Sequence, residues 1–210
     1  MFNALLIFCT LLAFGLIHSL LASHSAKAAV QRLLGRNIAS ATYRLLYNVA
    51  AFVTILPALY LVFHLPDREL YRLPERVNSV AWGAKIVAVL GLVYAVYQMD
   101  VWYFLGLRQL GESSQVGHYS IDSTYTAQLV TTRLYRIVRH PLYTLSLIVL
   151  YLTSPMSVNW LAFAVSCNLY FYLGSIFEEH KLVREFGDAY RAYQQQVPRL
   201  LPRPWRRAGQ

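Results

Sequence analysis

Five apolar stretches divide the chain: Phe2 to Ala22, Tyr43 to Phe63, Val80 to Met99, Pro141 to Thr153 and Val158 to Phe177. Each approaches the length that crosses a hydrocarbon core, the fourth falling short, and a segment inside lipid must satisfy its own backbone, which predicts helices throughout. Between the first two stretches Ala26, Ala29, Val30, Leu33 and Leu34 recur at helical spacing while Lys27, Gln31, Arg32 and Arg36 take the other face. That pattern predicts a helix lying in the membrane interface. Ser154-Pro155-Met156-Ser157 is a turn-type cluster without charge, so the last two stretches are predicted to form a helical hairpin. Beyond them Leu182, Phe186, Tyr190, Tyr193 and Val197 form an apolar stripe that would fold an amphipathic tail back onto the hairpin base. The fold class expected is all-α, a polytopic membrane protein of about five transmembrane helices, with residues 1–210 as a single domain.

Composition agrees with the pattern. Hydrophobic residues make up 57% and charged residues 14% of the chain, against about 25% charged in an ordinary soluble domain, and the mean hydropathy is +0.38. The first stretch lacks a basic leader and a small-residue cleavage site, so it reads as a span rather than a signal peptide. Fifteen basic residues fall on one side, in the first loop (Lys27, Arg32, Arg36, Arg44), the third loop (Arg108, Arg133, Arg136, Arg139) and the tail from Lys181 to Arg207, and three, Arg68, Arg72 and Arg76, on the other. The positive-inside rule then puts the N-terminus out and the C-terminus in the cytosol. The net charge of +9 is mainly a topology signal, with attraction to anionic membrane lipids second. No helix-turn-helix, zinc-finger or RNA-binding signature points to nucleic acid. Cys9 and Cys167 both lie in apolar stretches, and no metal-ligand spacing occurs, so no metal is expected. The segment from Gly111 to Thr126, rich in Ser, Thr, Gly and Tyr, reads as a cytosolic loop or lid. No Gly-x-Gly-x-x-Gly follows a strand-like run, and the stretch from Asp100 to Arg139 is too short for a Rossmann domain.

Candidate chemistry gathers at the two ends of the hairpin. Arg139-His140-Pro141-Leu142-Tyr143 opens the fourth stretch and Glu178-Glu179 closes the fifth. Pro141 suits the first turn of a helix, which would place His140 at an N-terminus favourable to an anionic ligand group. At 1.5 Å per residue the fourth stretch covers about 20 Å and the fifth about 30 Å, so the glutamates should lie slightly closer to the cytosol than His140. A cluster of ionisable groups at a membrane edge is costly and is a functional-site hypothesis by default. Carboxylates that can hold an amine or hydroxyls, beside tyrosines and an imidazole, suit a small zwitterionic cofactor carrying an aromatic base.

The ordered motifs Leu129-Val130-Thr131-Thr132, Tyr135 to Tyr143, Glu178 to Leu182, Phe186 to Tyr193 and Val197 to Pro202 resemble the C-terminal half of the integral-membrane methyltransferases typified by isoprenylcysteine carboxyl methyltransferase. His18 to Ser23, Tyr43-Arg44 and Gly106 to Gln109 are similar to the bacterial methanethiol S-methyltransferase branch of that superfamily. The resemblance implies S-adenosylmethionine as cofactor, bound by Leu129, Val130, Tyr135, His140, Pro141, Leu142, Tyr143 and Glu178 with Glu179 close by. It also implies a bacterial inner-membrane location and methyl transfer to the sulfur of a small thiol. A lipid amine or prenylcysteine acceptor, and a non-catalytic membrane scaffold, are the alternatives. Two positions depart from the pattern. Arg133 stands where glycine is common, and Gly174 stands where prenylcysteine enzymes use an arginine for the substrate carboxylate, which favours a different acceptor.

Overall fold

The computed structural model describes residues 2–111 and 129–202. In chain order the helices are α1 (Phe2–Ala22), α2 (His24–Leu34), α3 (Arg36–His64), α4 (Glu75–Gln98), α5 (Val101–Leu105), α6 (Leu107–Gly111), α7 (Pro141–Tyr151), α8 (Val158–Phe186) and α9 (Asp188–Gln196), with a 3-10 turn at Arg133–Arg136. Two short strands, β1 (Glu69–Tyr71) and β2 (Met156–Ser157), complete the described elements. The protein is an all-α polytopic membrane protein. Helices α1, α3, α4 and α8 are long and apolar enough to cross a bilayer, and α7 is a shorter apolar helix. At eleven residues it covers only about 16 Å, so the fourth expected span is curtailed further, ending at Tyr151.

The described residues form two compact units. In the first, residues 2–70, 99–111 and 156–166, α1 and α2 both pack on α3. Ser23 starts α2 by accepting the Ala26 N–H on its hydroxyl at 3.2 Å, a side-chain cap of the usual kind. The helix expected there is α2, but it ends at Leu34, so Arg36 and Arg44 belong to α3 and not to the loop. Asp100 caps α5 by accepting the Tyr103 N–H at 3.0 Å, and its carboxylate also pairs with Arg108. Gly106 ends α5 with φ +88°, where a Cβ would lie 2.5 Å from the Leu45 nitrogen. Only glycine fits that approach. The contact lets Arg44 Nε (3.1 Å) and Asn48 Nδ2 (2.9 Å) both donate to the Phe104 carbonyl, so two polar side chains of α3 are spent on holding α5. Helices α3, α5 and α6 leave a largely apolar open groove lined by Leu45, Asn48, Val49, Phe52, Leu105 and Leu107. On the far side, fully buried Asn159 donates to the Leu65 carbonyl at 3.2 Å and its backbone N–H donates to Asp67 at 3.0 Å. Val158 N–H donates to the Arg68 carbonyl beside β1 and β2. The loop after α3 and the hairpin turn thus carry strand structure that the turn residues alone do not announce.

The second unit comprises residues 71–98, 129–155 and 167–202. Helix α4 packs on α7 at close range, since a Cβ on Gly91 would meet Leu145 Cδ1 at 3.0 Å. Helix α8 enters this unit at Cys167 and does not stop at Phe177 but runs unbroken to Phe186, so the two glutamates sit inside a helix and not at its end. Gly187 then breaks the chain with φ +56°, and α9 follows. Leu182, Tyr190, Tyr193 and Val197 are buried, the stripe expected of a tail folded onto the helices. Of the expected lid, everything from residue 112 on lies outside the described residues, as do Arg203, Arg206 and Arg207 of the tail.

Candidate functional site

Pro141 occupies the first turn of α7, where its missing N–H costs nothing and its fixed φ suits the helix. The residue before it, His140, is buried at 6% exposure, and each of its ring nitrogens faces a carboxylate. Nε2 lies 3.2 Å from Glu179 Oε1, and Nδ1 lies 3.4 Å from Glu178 Oε2. One turn along α7, the Tyr143 hydroxyl donates to the same Glu178 oxygen at 2.9 Å. The carboxyl groups of both glutamates thus reach His140. The His140 ring stacks on Tyr143 (centroids 5.3 Å apart, planes 6°), and Tyr143 stacks on Phe171 (4.9 Å, 9°). Phe171 precedes Glu178 by seven residues, two helical turns, so both project from one face of α8. Gly174 lies between them on that face, and a Cβ there would have only the Tyr143 hydroxyl within 4 Å, at 3.9 Å.

The adjacent glutamates have different duties. Glu179 is 3% exposed and accepts from four side chains: Arg139 Nε (2.7 Å), His140 Nε2 (3.2 Å), Gln194 Nε2 (2.9 Å) and Arg199 Nη2 (3.2 Å). Two helices and the tail therefore meet on one carboxylate. Glu178 has its side chain 23% exposed, and among the described residues its Oε1 accepts no hydrogen bond. The tail also covers the entry to α7. Arg139 N–H donates to the Pro198 carbonyl at 2.9 Å and His140 N–H to the Arg199 carbonyl at 3.1 Å, while the Thr144 hydroxyl donates to the Leu200 carbonyl at 2.6 Å. The amides of Arg139 and His140, just before α7, are consequently spent on the tail. Arg139 completes the clamp by donating to the Gln194 carbonyl (2.9 Å) and to the Val197 carbonyl.

Tyr135 lies in the 3-10 turn and accepts the Tyr193 hydroxyl on its carbonyl at 2.5 Å. Burial, reinforced by nearby Tyr143, pushes its own phenol up to about 12. Burial likewise raises Tyr190 and Tyr193, with Glu179 adding to the effect and Arg139 opposing it. All three phenols hold their protons at neutral pH and act as neutral partners. Arg133 adopts φ +57°, the left-handed region in which glycine is preferred, and its Nη1 donates to the Tyr94 hydroxyl at 2.8 Å. Leu142 continues α7 half-buried, and Leu129 and Val130 are half-buried ahead of the 3-10 turn; no hydrogen bond, ion pair or ring contact ties these three to the cluster. Among the described residues no group of three His, Cys, Asp or Glu side chains could hold a metal ion.

Of the sequence-derived candidates, His140, Tyr143, Glu178 and Glu179 are in direct contact. Phe171 and Gln194 join them although no motif marked them, and Arg199 joins them from the Val197 to Pro202 motif. The signal for Phe171 was its spacing from Glu178, whereas Gln194 and Arg199 are brought in by the tail fold.

Comparison with known proteins gives several relatives, all bearing the same name. The chain is 29% identical over 197 residues to the methanethiol S-methyltransferase of Pseudomonas deceptionensis, covering 93% of this chain and 71% of that one. It is 30% identical over 206 residues to that of Crocosphaera subtropica, covering 95% and 75%, and 27% identical over 194 residues to that of Mycobacterium tuberculosis, covering 92% and 75%. No family model matches the chain, and no solved structure does.

Proposed function

The chain belongs to the methanethiol S-methyltransferase family, and from that premise we propose that it transfers a methyl group from S-adenosylmethionine to the sulfur of a small thiol at the membrane. The observation that carries the reading is Glu178, a carboxylate anchored through one oxygen by Tyr143 and facing His140, with its second oxygen unengaged among the described residues beside a ladder of three stacked rings. A half-used carboxylate suits the ammonium or ribose hydroxyls of such a cofactor, and aromatic faces suit a positively charged sulfur or a flat base. The residues present therefore fit the group. When bound, it would supply a sulfonium methyl group for a deprotonated thiol to take in line, the old carbon–sulfur bond breaking to release S-adenosylhomocysteine, with no metal needed.

In this account Tyr143 holds Glu178 in place, and His140 and Phe171 wall the pocket on either side of the Tyr143 ring. Tyr135, Pro141 and Leu142 shape its edge, with Leu129 and Val130 at its rim. Glu179 sets the orientation of His140 and fastens the tail. Their joint effect is positioning and exclusion of water, the contributions that matter most for a direct displacement. Gly174 leaves no cation on the Phe171–Glu178 face, consistent with an acceptor that carries no carboxylate. The cofactor is a cytosolic compound, so the account places this end of the hairpin inside and the N-terminus outside a bacterial inner membrane. A reporter fused after Gln210 should then be cytosolic and one placed near Asn78 external.

Titration of the detergent-purified protein with S-adenosylhomocysteine tests the site. Wild type should bind it, and His140→Ala and Glu178→Gln should each weaken binding about 5- to 150-fold, the range for losing one polar partner in a partly dry site. No binding by wild type sinks the enzyme reading, and unchanged binding in both variants moves the site elsewhere.

A further inference from the structure

One half-buried side chain in the second unit has its polar atoms shielded and unspent. The carboxamide of Gln98, the last residue of α4, has both Oε1 and Nε2 shielded from solvent and no hydrogen-bond partner for either among the described residues. Leaving a buried donor and acceptor unmade is unfavourable, and native interiors rarely tolerate it without a reason.

The helical register shows where this amide lies. Ala81, Lys85, Ala88 and Ala95 are the buried residues of α4. They recur at intervals of three, four and seven, and Gly91, on the same stripe, meets Leu145 of α7. Three residues beyond Ala95, Gln98 continues that stripe. The pairing runs antiparallel, since Gly91 lies against Leu145 while Tyr94, further along α4, accepts from Arg133. Gln98 is about 10 Å beyond Gly91 along the helix and Pro141 is about 6 Å before Leu145. The amide thus reaches the level of the segment that joins the 3-10 turn to His140, at the end of α4 where Tyr94 meets Arg133. Tyr94, one turn before Gln98, and Tyr135, in the 3-10 turn, supply aromatic surface at the same end.

We infer that Gln98 reads the adenine base of the cofactor, an inference that rests on the methyltransferase reading above. A carboxamide presents one acceptor and two donors in a plane. Adenine offers the complement along one edge, the 6-amino donor beside a ring-nitrogen acceptor, and glutamine pairs with it through two hydrogen bonds. An apolar ligand would leave both groups unpaired, and a carboxylate would leave Oε1 unpaired. Glu178 and Gln98 then divide the recognition, the carboxylate taking the hydroxyl or ammonium end and the carboxamide the base.

The test is a double-mutant cycle on equilibrium binding, with S-adenosylhomocysteine and its 6-deamino purine analogue as probes. Wild type should bind the analogue about 5- to 150-fold more weakly. Gln98→Met, close in size, should bind S-adenosylhomocysteine more weakly by a similar factor and should no longer separate the two probes. Without ligand, Gln98→Met should melt no lower than wild type, because it removes an unpaired buried amide. Equal binding of both probes by wild type overturns the inference without any variant. Retention of full discrimination by Gln98→Met overturns it as well, as does a ligand-free melting point well below wild type, which would make the residue structural. Failure of wild type to bind S-adenosylhomocysteine at all would instead strike the methyltransferase reading itself.

Discussion

Replacing Glu179 by alanine removes the carboxylate on which α7, α8 and the tail converge. Its pair with Arg139 is buried on both sides, with side chains 4% and 8% exposed, and breaking such a pair from one side costs about 3–5 kcal/mol because the other charge stays buried. Arg139 keeps two acceptors, the Gln194 and Val197 carbonyls, which favours the lower end of that range. Arg199, its side chain 33% exposed, adds less than about 1 kcal/mol. A loss of about 3 kcal/mol corresponds to a melting point lower by about 6–12 °C for a chain of this size. The buried thiol of Cys167 provides the signal, through reaction with a thiol-sensitive dye on heating in a Cys9→Ser background. Glu178→Gln is the matched control. It keeps an oxygen for Tyr143 and neutralises a carboxyl that has no guanidinium partner, so its melting point should move by less than about 4 °C. Equal melting points for wild type and Glu179→Ala, or an equal fall in both variants, would refute the division of labour between the two glutamates.

Three further outcomes follow from local geometry. Gly106→Ala should destabilise the first unit strongly, because the new methyl would sit 2.5 Å from the Leu45 nitrogen at a positive φ; weakened melting with loss of the α3–α5 contact, read by hydrogen exchange at residues 100–106, checks it. Arg133→Gly should be more stable than Arg133→Ala by about 1 kcal/mol, since both lose the bond to Tyr94 and only glycine relieves the left-handed backbone; melting of the pair decides it. In alkali, stability should fall as pH rises from about 10 to about 12, because the folded protein holds the Tyr135 proton up to about 12 while the unfolded chain releases it near the ordinary tyrosine value. Below that window the contribution is complete, and Tyr135→Phe should flatten its share of the slope in a melting series across pH.

Much of the fold was legible because lipid leaves a chain few choices. Uninterrupted apolar runs announced α1, α3, α4 and α8, and Pro141 announced the start of α7. Helix ends were less readable. Arg36, Arg44, Glu178 and Glu179 look like loop residues by polarity, yet they lie inside helices that extend past the hydrocarbon length, where neighbours rather than propensity set the boundary. The strand pairing beside Arg68 and Val158 was hidden because it depends on a partner far along the chain. At the site, His140, Tyr143 and the glutamates were readable from their motifs. The difference between Glu178 and Glu179 was not, because it arises from Gln194 and Arg199, which only the folded tail delivers. The pairing of the Arg139 and His140 amides with the Pro198 and Arg199 carbonyls was hidden for the same reason.

The central claim, methyl transfer to a small thiol, is tested most directly by supplying the purified, lipid-reconstituted protein with methyl-labelled S-adenosylmethionine and methanethiol and following the label. The account predicts label in the volatile thioether, dependent on the thiol, independent of any prenyl chain and reduced in Glu178→Gln. Label appearing in the lipid extract instead, or in no product although the cofactor binds, would contradict it.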